Sequence, residues 1–167
     1  MKAVKTLLFL YHSSQTDMKV IIIEDETPAA NRLTKLLHAI HDEIEVVKRL
    51  DSVASAVQYF QSAQQPDLIF MDIQLADGLS FDIFSQVQIK TPVIFTTAFD
   101  QYTLKAFKVN SIDYLLKPID EAELIKAVEK YRQLYVKKDH DFSDKILKAF
   151  QEMNSTKFKE RLLVKRG

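Results

Sequence analysis

Short apolar runs recur along the chain at Val20-Ile21-Ile22-Ile23, Ile44-Glu45-Val46-Val47, Leu68-Ile69-Phe70-Met71, Val93-Ile94-Phe95-Thr96 and Tyr114-Leu115-Leu116. Each is too short for a free-standing helix. Near-continuous rather than alternating apolarity suits strands buried on both faces, as in a parallel sheet covered by helices. Between the runs, apolar residues fall at helical spacing: Leu33, Leu36, Leu37 and Ile40; Val53, Val57 and Phe60; Leu104 and Phe107; Leu124, Ala127, Val128 and Tyr131. Such stripes face a core. Boundary residues agree, with Thr27-Pro28 opening the first helix, Ser52 capping the second, Pro66 and Pro92 preceding strands and Gly78 marking a loop. Strand–helix alternation repeated five times predicts a doubly wound α/β fold, in which a ligand sits outside the carboxyl ends of the strands.

The totals narrow this further. A chain of 167 residues that is 47% hydrophobic can bury one sizeable core. Basic and acidic residues balance at 23 each, so the whole-chain charge makes no case for nucleic acid, membrane or polyanionic partners. The absence of cysteine excludes a disulfide framework and a thiolate metal site, and agrees with a cytoplasmic location. Lys2 and Lys5 precede an apolar run from Leu7 to Tyr11, but the run is shorter than a signal-peptide core and no small-x-small cleavage site follows. Met18-Lys19-Val20 opens a strand in the manner of a natural start, so residues 1–17 read as an N-terminal extension. No run approaches the roughly 20 apolar residues needed to cross a bilayer, and a soluble protein is expected.

Carboxylates gather where the first and third strands end: Glu24, Asp25 and Glu26 after the first, Asp72 after the third. Brought together, two or three of them form a hard, oxygen-rich pocket suited to Mg²⁺, with Mn²⁺ as an alternative. Acidic residues at strand ends also serve as helix caps, so the cluster gains weight only from its neighbours. Thr97 lies just past the fourth run and Lys117 just past the fifth, followed by Pro118. In this reading Asp72 is a nucleophile that attacks phosphorus to give an acyl phosphate, while Glu24 and Asp25 hold the metal. Lys117 supplies a positive charge and Thr97 a hydroxyl to the phosphoryl oxygens.

The ordered set Glu24-Asp25, Asp72, Thr97-Ala98, Tyr114 and Lys117-Pro118 resembles the receiver domain of bacterial response regulators. The resemblance covers Lys19 to about Lys137, and the spacings 72 − 25 = 47, 97 − 72 = 25 and 117 − 97 = 20 fit that family. It implies a flavodoxin-like (βα)5 fold with strand order 2-1-3-4-5, a receiver domain over residues 18–137 and a cis Lys117-Pro118 peptide bond. It also implies phosphoryl transfer from a sensor histidine kinase to Asp72, with Gln74 lending its backbone carbonyl to the metal. Thr97 and Tyr114 are then switch residues, and the fourth helix, fifth strand and fifth helix form the remodelled surface. Three positions depart from the pattern. Glu24 replaces the commoner aspartate, and its longer arm favours contact with the metal through water. Ala76 and Ser80 stand where such proteins often carry proline and glycine, with Gly78 displaced earlier, which predicts a differently shaped loop.

The texture from Phe99 to Phe107 and from Ser111 to Pro118 is similar to receivers of the LytR/AlgR group, whose output is a LytTR-type DNA-binding domain. Residues 138–157 read as a linker with an amphipathic helix carrying Phe142, Ile146, Leu147 and Phe150. Residues 158–167, with Leu162-Leu163-Val164 among basic side chains, resemble the opening of that output domain. The resemblance thus implies transcriptional control, with DNA bound only through a C-terminal domain largely absent from this sequence. A homodimer is expected by analogy, through the switch surface or the linker helix. Alternatives are a stand-alone phosphorelay receiver and a Mg²⁺-dependent phosphohydrolase. The latter class usually has a second aspartate two residues past the nucleophile, where this chain has Gln74. A flavodoxin-like cofactor binder fits poorly with only two glycines and no phosphate-cradling loop.

Overall fold

The computed structural model describes residues 17–62, 64–98 and 111–136. Five strands, β1 (Met18–Ile23), β2 (Ile44–Leu50), β3 (Leu68–Asp72), β4 (Val93–Thr97) and β5 (Ser111–Leu116), form a parallel sheet in the order β2-β1-β3-β4-β5. This is the expected flavodoxin-like order. Because β1, β3 and β4 lie inside the sheet, nearly all their residues are buried, which is why their sequences are almost unbroken Val, Ile, Leu, Phe and Met. The edge strand β2 departs from continuous burial: its middle is largely exposed and Val47 remains 38% accessible. A strand with one neighbour tolerates Glu45, Lys48 and Arg49, and charges there also discourage pairing with other chains.

Helices follow the strands: α1 (Thr27–Ile40), α2 (Val53–Ser62), α3 (Phe81–Gln86) and α4 (Glu121–Tyr131). α1 begins with Pro28 in its first turn and buries Ala30, Leu33 and Leu37, one stripe of a 3.6-residue repeat; Leu36 and Ile40 sit at its half-buried margin. α2 buries Val53, Ala56 and Phe60 in a cluster with Ile21, Ile23, Ile69, Met71, Ile73, Ile83 and Phe95. Each fully buried aliphatic side chain of this kind contributes about 1.5–3 kcal/mol of transfer free energy. α4 corresponds to the fifth helix of the sequence count. The expected fourth helix with Leu104 and Phe107 lies outside the described residues, as do the N-terminal extension up to residue 16, the linker and the basic C-terminal segment.

Backbone contacts divide the chain into units 1–127 and 128–167. In the first, Leu124 and Ala127 of α4 are buried. In the second, the described residues end in a π-helical turn, Arg132–Val136, with the rings of Tyr131 and Tyr135 stacked 5.5 Å apart. No described helix is long and apolar enough to cross a membrane.

The N-terminus of α2 is held by side chains from two places. Ser52 Oγ accepts the backbone N–H of Ser55 at 3.2 Å, while Ser55 Oγ accepts the N–H groups of Asp51 at 3.3 Å and Ser52 at 3.2 Å. That is the local cap expected from the sequence. The second cap comes from 24 residues away, where Asp77 Oδ1 accepts Val53 N–H at 2.8 Å and Oδ2 accepts Ala54 N–H at 3.0 Å. These bonds favour the ionised form, and the Asp77 carboxyl is held below its ordinary pKa of 3.8. A depressed folded-state value means that the stabilisation is fully present above pH 3.8 and fades as pH falls through the lower folded value. Asp77→Asn should therefore melt a few degrees below the native chain at neutral pH, and the gap should narrow in acid; thermal melts across that range check it, and a pH-independent gap would contradict it.

Candidate functional site

Parallel strands end on one side of a sheet, so the residues just past Ile23, Met71, Thr96 and Leu116 converge there whatever their separation in sequence. Register fixes the convergence closely. Ile23 pairs with Met71, Asp72 with Thr96 and Thr97 with Leu116, while the N–H of Ile73 donates to Thr96 O at 3.0 Å and that of Lys117 to Thr97 O at 2.8 Å. Glu24 is placed by its own N–H, which donates to Leu50 O at 2.8 Å.

Glu24, Asp25 and Asp72 each present a carboxylate oxygen, and these oxygens all lie within 4.8 Å of one another. Glu24 and Asp72 are buried and Asp25 is half-buried. Lys117 Nζ lies 2.6 Å from Glu24 Oε2 and 2.6 Å from Asp72 Oδ2. The other oxygens of these two carboxylates accept backbone N–H groups, Glu24 Oε1 from Glu26 at 3.2 Å and Asp72 Oδ1 from Gln74 at 3.1 Å. Burial, reinforced by the nearby Asp72 charge, pushes the Glu24 carboxyl above its ordinary pKa although the Lys117 ammonium opposes this. Burial acts on Lys117 in the opposite sense, but its bonds to Asp72 and Glu24 outweigh it, so its pKa is raised and the ammonium stays charged.

Three carboxylates and one ammonium leave a formal charge of −3 + 1 = −2 in a partly dehydrated cleft. An all-oxygen donor set with that deficit fits a hard divalent cation. Glu24 and Asp72 are alike in having one oxygen on a backbone N–H and the other on Lys117, while Asp25 is the least buried of the three.

The remaining predicted residues fall around this cluster. Thr97 is buried at the end of β4, one residue beyond Thr96, which is also buried. Tyr114 is half-buried in β5 opposite Phe95 and packs against the apolar cluster. The Lys117-Pro118 peptide bond is cis. Gln74 is exposed and begins a small hairpin in which Gln74–Leu75 pairs with Gly78–Leu79, turning through Ala76 and Asp77. Gly78 has φ +151°, a conformation side chains with a Cβ rarely adopt, so a glycine is where the hairpin needs it. Two contacts escaped the sequence reading: the Asp77 cap on α2, and Arg32 of α1, whose Nη2 donates to Ile119 O at 3.3 Å just past the cis bond. Neither has a local signature, since the partners lie 24 and 87 residues apart.

A five-stranded parallel α/β sheet with an acidic cluster and a lysine at its carboxyl edge defines a receiver-type signalling fold. Residues 20–129 match the response regulator receiver domain, and the chain belongs to that family. Relatives include a sensory transduction protein LytT of Bacillus cereus, 37% identical over 70% of this chain and 48% of its own length, and a transcriptional regulatory protein LytR of Staphylococcus aureus, 37% identical over 75% and 52%. Among solved structures, the response regulatory domain of protein mrkE from Klebsiella pneumoniae matches with a TM-score of 0.62 and 32% identity, covering 72% of this chain and 99% of that one. The LytT and LytR relatives agree with the expected LytR/AlgR resemblance, and the chain spans about half the length of the curated relatives it matches. It is a receiver domain of a two-component response regulator.

Removing the ammonium from between two buried carboxylates leaves both uncompensated. Lys117→Met should lower stability in metal-free buffer by about 1–3 kcal/mol, the usual cost of stranding buried charges that keep some access to water. Urea denaturation measures this, and an unchanged midpoint would show that the bridge contributes nothing.

Proposed function

We propose that Asp72 accepts a phosphoryl group from the phosphohistidine of a sensor histidine kinase, in a Mg²⁺-dependent reaction that switches a transcriptional regulator. The observation that carries this reading is the gathering of Glu24, Asp25 and Asp72 within 4.8 Å around the Lys117 ammonium. A carboxylate oxygen of Asp72 attacks phosphorus, the P–N bond to the imidazole breaks, and an acyl phosphate forms. Asp25, Asp72 and the Gln74 carbonyl would hold the cation, with Glu24 acting through water. The cation, Mg²⁺ or Mn²⁺, would draw off charge from the phosphoryl oxygens as they approach the carboxylates.

The chain's own residues do the rest. Lys117, now bound to Asp72 Oδ2, shifts its bond to a phosphoryl oxygen and so keeps its charge compensated throughout. The Thr97 hydroxyl donates to another phosphoryl oxygen. A shift of β4 toward the phosphate is felt at Tyr114, whose backbone pairs with Phe95 two residues earlier on that strand. Tyr114 then repacks, and the surface formed by the fourth helix, β5 and α4 changes shape. Leu116 is half exposed at the end of β5. The name of the LytR relative, a transcriptional regulatory protein, supports a transcriptional output; a cytoplasmic location and DNA contacts made by a separate domain belong to the same proposal. Dimerisation through the switch surface is the corresponding proposal for assembly.

Acetyl phosphate with Mg²⁺ tests this without knowing the kinase. Intact-mass spectrometry should show a one-phosphate increase that needs Mg²⁺ and disappears in Asp72→Asn; an equal increase in that variant would contradict the assignment. Gln74 follows Asp72 by two residues and its side chain is exposed, and in this reading it borders the route by which water reaches the acyl phosphate. Gln74→Ala should change the aspartyl-phosphate lifetime several-fold, measured by decay after phosphodonor removal, and an unchanged lifetime would refute that role.

A further inference from the structure

The peptide that follows Asp72 belongs to the Gln74–Leu75/Gly78–Leu79 hairpin, and the orientation of that hairpin decides where the Gln74 backbone lies. Its base is fixed to the sheet: Ile73 is fully buried and donates its N–H to Thr96 O at 3.0 Å, Ser80 N–H closes on Ile73 O at 2.9 Å, and Gln74 N–H meets Asp72 Oδ1 at 3.1 Å. Its tip is fixed elsewhere. Both oxygens of Asp77 grip α2, on Val53 N–H and Ala54 N–H, with the side chain of Val53 also lying 3.9 Å from where a Cβ on Gly78 would project.

The start of α2 is in turn tied to the acidic end of β1, because Leu50, the last residue before the α2 cap, accepts Glu24 N–H at 2.8 Å. The hydrogen bonds therefore run in a ring from Glu24 to Leu50, through the α2 N-terminus to Asp77, and back along the hairpin to Gln74 and Asp72. Asp77 is the side chain that closes it. We propose that Asp77 is a positioning residue for the phosphoacceptor site, setting the Gln74 peptide and its carbonyl relative to Asp25 and Asp72 by clamping the hairpin tip to α2. This inference rests on the proposed Mg²⁺ site. Supports that lie behind metal ligands and orient them typically change metal affinity by about 10–100-fold when lost, and an exposed clamp acting through one peptide belongs at the low end of that range.

The test separates positioning from simple capping by comparing Asp77→Ala and Asp77→Asn with Ser52→Ala, which removes the other cap from the same helix without touching the hairpin. Mg²⁺ affinity by titration calorimetry, amide exchange from Gln74 to Leu79, and the rate of aspartyl-phosphate formation from acetyl phosphate are measured for each. Asp77→Ala should weaken Mg²⁺ binding by about tenfold and speed exchange across the hairpin. Asp77→Asn, which keeps one oxygen acceptor, should fall between it and the native chain. Ser52→Ala should lower thermal stability yet leave Mg²⁺ affinity and hairpin exchange as they were. The proposal is overturned if the Asp77 variants bind Mg²⁺ as tightly as the native chain, or if Ser52→Ala weakens binding equally. A native chain that itself fails to bind Mg²⁺ would instead sink the reading of the site, and the positioning role with it.

Discussion

Everything at the carboxyl edge of the sheet depends on one charge imbalance. Folding brings three carboxylates to within 4.8 Å of one another and, among the described residues, sets the ammonium of Lys117 against Glu24 and Asp72 to offset them. Burial above all, with the neighbouring Asp72 charge adding to it, holds the Glu24 carboxyl above its ordinary pKa. Such an arrangement persists only because the strands that present it are over-determined by apolar burial behind it, where β1, β3 and β4 contribute an almost unbroken row of fully buried side chains. The apolar core stabilises; the polar edge is left short of positive charge and so has an affinity for it.

Under the proposed function, that imbalance would also carry a small event at Asp72 to other parts of the sheet. The groups are attached to three parts of the sheet: Glu24 and Asp25 follow β1, with Glu24 also tied to Leu50 before α2, Asp72 ends β3 before the hairpin, and Lys117 joins β4 and β5 through its backbone bond to Thr97. A change in charge at Asp72 alters what Lys117 must balance, and β4 and β5 feel it first. Closely packed interiors do not deform continuously, so a shift there is passed on as a change between discrete packings.

Much of this was legible in the sequence because three of the four strands that position the site, β1, β3 and β4, are buried. Their Val/Ile/Leu/Phe runs announce themselves, and the residue after each run is by topology a site residue, which is why Glu24, Asp25, Asp72 and Lys117 could be named without coordinates. Legibility fails where burial is partial or the contact is distant. β2 runs on through Lys48-Arg49-Leu50 because an edge strand tolerates charge, and β5 begins at Ser111, earlier than its apolar core suggests. The two-residue strands of the hairpin are too short for any periodicity, so only Gly78 hinted at them. Adjacent threonines at 96 and 97 are alike in type and burial, and composition alone does not choose between them. The Asp77 clamp and the Arg32 contact are properties of the packed fold, invisible to any local window.

The most direct measurement is a crystal structure grown with Mg²⁺ and beryllofluoride, a mimic of the phosphoryl group. The account predicts beryllium on an Asp72 oxygen, the cation between Asp25, Asp72 and the Gln74 carbonyl, and Lys117 moved from Asp72 onto a fluorine. Density for either ion elsewhere, or Lys117 still bridging Glu24 and Asp72 with the mimic bound, would contradict it.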